Sequence, residues 1–275
     1  MGVVTSRRVA TRDGVNLRVI STFPQAAPAV ILVHGLASNA HLWDGVREVL
    51  AESGIPNVAI DLRGHGESDR PDVGYDLPTV ADDVADVIRA LRGERVVLAG
   101  QSWGGNVVLE CAARHPDLVR SVVCVDGGFL RMADAFEDRE MMWDVLAPPR
   151  FDGLTPEQLD ARLRVRFSGW PESALVGARA NFEPVGDGFV RARLSRDRHR
   201  AVLDGLWYHD PDHTVTNVAA PVHLIVAGDH QSKRGRVEAF AAAAGDRLSV
   251  EWVEADHDVH AQRPSMVAER IRGAL

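Results

Sequence analysis

Lysine is almost absent from this chain. Lys233 is the only one; every other basic residue among the 31 is arginine. Against 39 acidic residues the formal net charge is −8 at pH 7. A chain of that sign lacks the basic face a phosphate backbone needs, which excludes nucleic acid as a main partner. We read the arginine skew as coding bias, although arginines remain forked, permanent cations able to hold a carboxylate. Cysteine is scarce as well. Cys111 and Cys124 lie in apolar stretches and read as small buried thiols, which excludes a disulfide framework and a cysteine zinc site. No run approaches the roughly 20 apolar residues of a membrane helix. The first twenty residues also lack the apolar run of a secretory signal, so the expected location is the cytoplasm, with no membrane partner.

What is present is ordinary globular composition: 275 residues, 45% hydrophobic and 25% charged, enough chain to bury a sizeable core. Short apolar runs recur at Ala29–Val33, Asn57–Ile60, Val96–Ala99, Val122–Val125, Val222–Ala227 and Leu248–Glu254. Continuous β-branched runs suit strands covered on both faces, hence a parallel sheet. Helical patterns fill the gaps. Val80, Val84, Val87, Ile88 and Leu91 share one apolar face, with Asp82, Asp83 and Asp86 expected on the wet side. This alternation predicts an α/β fold with a doubly wound sheet. The rhythm breaks between Phe129 and Pro211, where no strand-like run occurs. The pattern there gives helical pieces over Ala133–Leu146, Pro156–Phe167, Glu172–Phe182 and Ser195–His209. We read residues 129–211 as a helical cap inserted into a core domain of residues 1–128 and 212–275.

The strongest chemical signal is Gly100-Gln101-Ser102-Trp103-Gly104, a G-x-S-x-G that closes an apolar strand and opens an apolar helix. The strand–turn–helix context makes the motif specific. Its turn must be so tight that the serine is held in strained geometry, and the flanking glycines have no side chains to clash. The hydroxyl then stands near a helix N-terminus, which favours developing negative charge.

At this point the chain resembles the α/β-hydrolase superfamily over nearly its whole length, with similarity to zearalenone-type lactonases and carboxylesterases. The landmarks are His34-Gly35, Asp61-Leu62-Arg63-Gly64-His65-Gly66-Glu67-Ser68, the Gly100–Gly104 turn, the helical insertion and a late Asp256-His257. The resemblance implies about eight mostly parallel strands with the cap after the sixth. It implies a nucleophile at Ser102 and a base at His257, with His260 the local rival. The order Ser…Asp…His leaves the acid open. In many members it lies three residues past the glycine after strand seven; here that glycine is Gly228 and the position holds Gln231, which cannot ionise. Asp126, in Val125-Asp126-Gly127-Gly128 after strand six, is the first choice for the acid, and Asp229 the alternative. The oxyanion hole falls to the backbone N–H groups of Leu36 and Trp103.

Trp43, Phe129 and Trp207 are candidates for an apolar substrate cleft, a pattern that ordinary core packing also produces. The arginines at 191, 193, 196, 198 and 200 read as a solvated face. His209 and His213 flank Pro211, which spoils the helical spacing a shared metal would need, so neither metal nor cofactor is expected. The expected activity is a serine hydrolase acting on a small, largely apolar ester or lactone. Competing readings on the same fold are carbon–carbon hydrolysis, cofactor-independent ring-cleaving dioxygenation and ligand sensing.

Overall fold

The computed structural model describes residues 4–151, 153–186, 188–228 and 230–275. Among the described residues ten strands are present: β1 Thr5–Ala10, β2 Asn16–Ser21, β3 Val30–Val33, β4 Asn57–Ile60, β5 Val96–Gln101, β6 Val119–Val125, β7 Phe182–Val185, β8 Phe189–Ala192, β9 Val222–Ala227 and β10 Leu248–Val253. Eight of them form one sheet in the order β1-β2-β4-β3-β5-β6-β9-β10. Pairing is antiparallel at β1–β2 and β2–β4 and parallel from β4 to β10.

Every apolar run expected to be a strand is one. The central strands alternate between two hydrophobic clusters, one on each face of the sheet. Ile31, Val33, Leu98, Val122 and Cys124 belong to one, and Val30, Leu32, Val97, Val123 and Val125 to the other. All are fully enclosed, each aliphatic side chain contributing about 1.5–3 kcal/mol. The two strands of this eight-stranded sheet without such runs, β1 and β2, sit at its antiparallel edge. β1 buries only Val9 among its six residues, so it carries no continuous apolar signal.

Helices cover both faces. Helix α1 (Asp44–Glu52) and the C-terminal helix Pro264–Gly273 pack on one side. Helices α2 (Leu77–Ala90) and α3 (Trp103–Arg114) pack on the other. Asp76 caps α2 by accepting the Thr79 N–H, and Val80, Val84, Val87 and Ile88 are wholly buried. Asp83 departs from the expected wet side. It is 3% exposed and takes two 2.6 Å hydrogen bonds from the equally buried Arg63. The bidentate pair accounts for a buried carboxylate at a position whose sequence neighbours are polar.

Between β6 and β9 the chain forms a cap. Its helices are Met132–Ala135, Arg139–Leu146, Pro156–Arg166, Glu172–Arg179 and Arg196–Trp207, and the short helix Pro211–Thr216 leads back to β9. The expected Ala133–Leu146 helix is broken in two, because Asp138 is extended and caps the second piece through the Met141 N–H. The expected Glu172–Phe182 helix stops at Arg179, and an antiparallel β7–β8 hairpin follows where no strand was expected. The hairpin strands are four residues each and, Val190 apart, half-exposed or exposed, too short for a visible apolar run. Asn39 ties the cap to the core, donating to the Gly177 carbonyl at 2.8 Å and to Asn181 at 2.6 Å. The Arg70–Glu183 ion pair makes a second tie. Among the described residues no helix is long and apolar enough to cross a membrane.

Candidate active site

Ser102 is the single residue between β5 and α3, at φ 54° and ψ −124°. That is the left-handed half of the map, which costs a residue with a Cβ about 1–3 kcal/mol. The surrounding glycines explain how the turn holds. A Cβ on Gly100 would strike the Gly104 carbonyl, and one on Gly104 would strike the carbonyls of Val33 and His34 at the end of β3. The Ser102 N–H donates to Val125 O at 2.9 Å, locking the turn to the end of β6.

One residue past β6, Asp126 is also at positive φ (45°) and is 1% exposed. His257 Nδ1 lies 2.6 Å from Asp126 Oδ2, across 131 residues of sequence. The imidazole is half-exposed, and the Gln101 side-chain amide donates to its backbone carbonyl at 3.2 Å. The structure therefore joins His257 to the carboxylate after the sixth sheet strand. Asp229, the alternative acid, lies outside the described residues. His260 is fully enclosed against Trp43, with ring centroids 4.3 Å apart and neither ring nitrogen hydrogen-bonded among the described residues. It does not reach Asp126.

Sequence reasoning missed the residue on the other side of that carboxylate. Lys233 donates to both oxygens of Asp126 at 2.7 Å and to the Ala227 carbonyl at 2.8 Å. The Ala227 N–H is a third donor to the carboxylate, at 3.0 Å, after His257 and Lys233. Burial alone would push the Asp126 carboxyl up. The hydrogen bond and charge of His257, the hydrogen bonds from Lys233 and the Ala227 amide outweigh it and hold the group below the ordinary carboxylate range. A signal was available in the sequence: an otherwise lysine-free chain carries its one lysine six residues after β9. Among the described residues no interaction joins the Ser102 hydroxyl to His257 within hydrogen-bond range.

The loop after β3 lies against the serine. A Cβ on Gly35 would come 3.1 Å from the Ser102 Cβ and would collide with the Gln101 side chain. His34 is buried and pushed down to about 4, so its ring is neutral near pH 7. It donates from Nδ1 to the Gly35 carbonyl at 2.7 Å and accepts the Leu62 N–H on Nε2 at 3.1 Å. His65 is neutral for the same reason, pushed down to about 3. It accepts the Ala37 N–H at 3.3 Å and stacks on Trp103 with centroids 5.4 Å apart. Leu36 thus sits between two residues whose polar groups are pinned by histidines. Trp103 opens α3, where an N–H has no intrahelical partner.

A cavity of about 410 Å³ lies under the cap, with Ala37, Ser38 and His65 at its floor and Phe151, Phe167 and Phe182 on its walls. Trp43, Phe129 and Trp207, expected at a substrate cleft, do not line it. Trp43 is wholly buried beside α1, Phe129 is 3% exposed in the core on the α3 face, and Trp207 ends its cap helix half-buried. Apolar character identified these residues as interior, and tertiary packing put Trp43 and Phe129 in the core. The arginine stretch is likewise not a plain solvated face. Arg191, Arg193 and Arg196 line the cavity, while Arg198 and Arg200 pair with Asp72 and Glu140. Arg193 also pairs with Glu183, and Arg196 donates to the Pro148 carbonyl.

A strained serine between strand and helix, with a histidine–carboxylate pair delivered by later sheet strands, is the arrangement of one large enzyme class. The family described as alpha/beta hydrolase fold matches residues 28–168, and the chain belongs to that family; it is a hydrolase. Among its relatives is the 2-(acetamidomethylene)succinate hydrolase of Mesorhizobium japonicum, 31% identical over 90% of this chain and 87% of the relative. An esterase of Mycobacterium tuberculosis is 40% identical over 91% of this chain and 83% of its own length. The crystal structure of an E-2-(acetamidomethylene)succinate hydrolase superposes with a TM-score of 0.82 at 27% identity, covering 98% of each chain.

Proposed function

We propose that the protein hydrolyses a carboxylic ester or lactone of a small, largely apolar substrate through an acyl-enzyme on Ser102. The observation that carries this is the 2.6 Å contact between His257 Nδ1 and the buried, ionised Asp126, made behind a serine on a strained turn. Ser102 Oγ attacks the carbonyl carbon and its proton passes to His257 Nε2. Asp126 holds the imidazole in the Nδ1–H tautomer and stabilises the cation that forms. The N–H groups of Leu36 and Trp103 take the developing oxyanion. His257 then protonates the leaving alkoxide, and a water molecule repeats the sequence to free the acid. The serine–histidine contact closes as the substrate binds, as is usual for such pairs. The cavity has the volume of a small-molecule site, and its lining of Phe151, Phe167 and Phe182 together with Arg191, Arg193 and Arg196 supports a small substrate with an apolar part. The esterase and hydrolase names of full-length relatives favour acyl transfer to water. The residues between β6 and β9 act as the specificity cap, and no cofactor is needed.

The test is intact mass after exposure to a fluorophosphonate, for wild type and Ser102→Ala. One adduct on wild type and none on the variant is expected. A folded wild type that takes no adduct, or a variant that takes the same one, refutes the assignment. Oxygen-dependent ring cleavage and ligand sensing are then the readings to pursue.

A further inference from the structure

We infer that Lys233 is a positioning residue for the reaction. From the helix after β9 it clamps the Asp126 carboxylate in the plane that meets His257 and draws off part of its negative charge, so that His257 stays an unprotonated base to lower pH. The inference rests on the Ser102–His257–Asp126 reading given above.

The geometry is specific. An ammonium has three protons to donate, and among the described residues three acceptors lie within 2.8 Å of Lys233 Nζ: Asp126 Oδ1, Asp126 Oδ2 and the Ala227 carbonyl. The carboxylate cannot turn about its Cβ–Cγ bond without losing two charge-assisted hydrogen bonds and the Ala227 amide. Oδ2 is thereby kept facing Nδ1 of His257. A compact point charge can occupy that position, whereas a guanidinium fork presents its donors in a fixed plane.

The same contact sets the electrostatics of the base. A lone buried carboxylate 2.6 Å from an imidazole would favour the imidazolium. A second cation on the same carboxylate competes for that charge and repels the imidazolium. The other charged or titratable groups around His257 are Asp256 and Asp258 on its own loop, His260 in the next turn, and Arg166 at the end of the cap helix Pro156–Arg166, 4.0 Å from Asp256. None of these contacts the acid that orients the ring; among the described charged residues Lys233 does.

The experiment is the rate of fluorophosphonate inactivation against pH for wild type, Lys233→Met and Lys233→Arg, with near-ultraviolet circular dichroism to confirm folding. In Lys233→Met the acidic midpoint is expected to rise by about one pH unit. The plateau rate should fall about ten-fold as the carboxylate loses its clamp. Lys233→Arg keeps the charge and should hold the midpoint near wild type even where its rate drops. Should the methionine variant not fold, Lys233→Gln, which keeps a donor without the charge, reads the same shift. A slower variant with an unmoved midpoint shows a structural prop only and overturns the inference. A wild type that takes no Ser102-dependent label removes the reading beneath it, an outcome distinct from an unmoved midpoint in a labelled enzyme.

Discussion

His260 gives a prediction whose size follows from burial alone. The ring is fully enclosed on Trp43, and neither nitrogen finds a partner among the described residues. Burial pushes its pKa down from 6.5 to about 3, with His257 and His34 adding repulsion. The folded value is depressed, so between 6.5 and about 3 the unfolded chain takes up a proton that the folded chain refuses. Stability is therefore complete above this window and falls as pH falls through it. At pH 5 the unfolded ring is 1.5 units below its midpoint, and at about 1.36 kcal/mol per unit the loss is about 2 kcal/mol. That figure depends on the unfolded value as long as the folded one lies below about 4, which makes it insensitive to the exact depression. His34 and His65, equally enclosed and pushed down to about 4 and about 3, behave alike. Together the three rings remove about 6 kcal/mol, a large share of the 5–15 kcal/mol typical of a folded domain. Urea unfolding at pH 7 and pH 5 for wild type and His260→Phe isolates one ring, because other titrations cancel in the double difference. The variant should lose about 2 kcal/mol less than wild type between the two pH values. Equal losses would refute the reasoning, showing that the ring is solvated or hydrogen-bonded in the folded protein.

Two further predictions concern the site itself. Asp126→Asn should lower the Ser102 inactivation rate by about 10³–10⁴, because the amide no longer selects the Nδ1–H tautomer of His257; a loss under ten-fold would move the acid elsewhere, with Asp229 the first residue to test. Gly127→Ala should cost activity and about 1–3 kcal/mol of stability, since the added methyl collides with the Ser102 carbonyl and Cα; an unchanged melting temperature and labelling rate would show that this turn is looser than its packing implies.

The parts of this molecule legible in its sequence are those set by local sterics and by burial pattern. A continuous β-branched run has to be covered on both faces, so β3 to β6 and β9 could be read directly, and the G-x-S-x-G motif carries the clash between Gly100 and Gly104, four residues apart, that keeps its turn tight. The cap hairpin was not legible, because strands of four half-exposed residues have no period to read. Asp83 was not legible either: its fate depends on Arg63, twenty residues away, which turns a wet position into a buried ion pair. The choice of partner for His257 lay open among aspartates that look alike in one dimension, and tertiary structure made it by bringing together residues 131 apart. The same is true of Lys233. Its rarity was visible in the composition, but its place was not, since a contact with a carboxylate 107 residues earlier exists only once β6 and β9 pair and bring the helix after β9 against the end of β6.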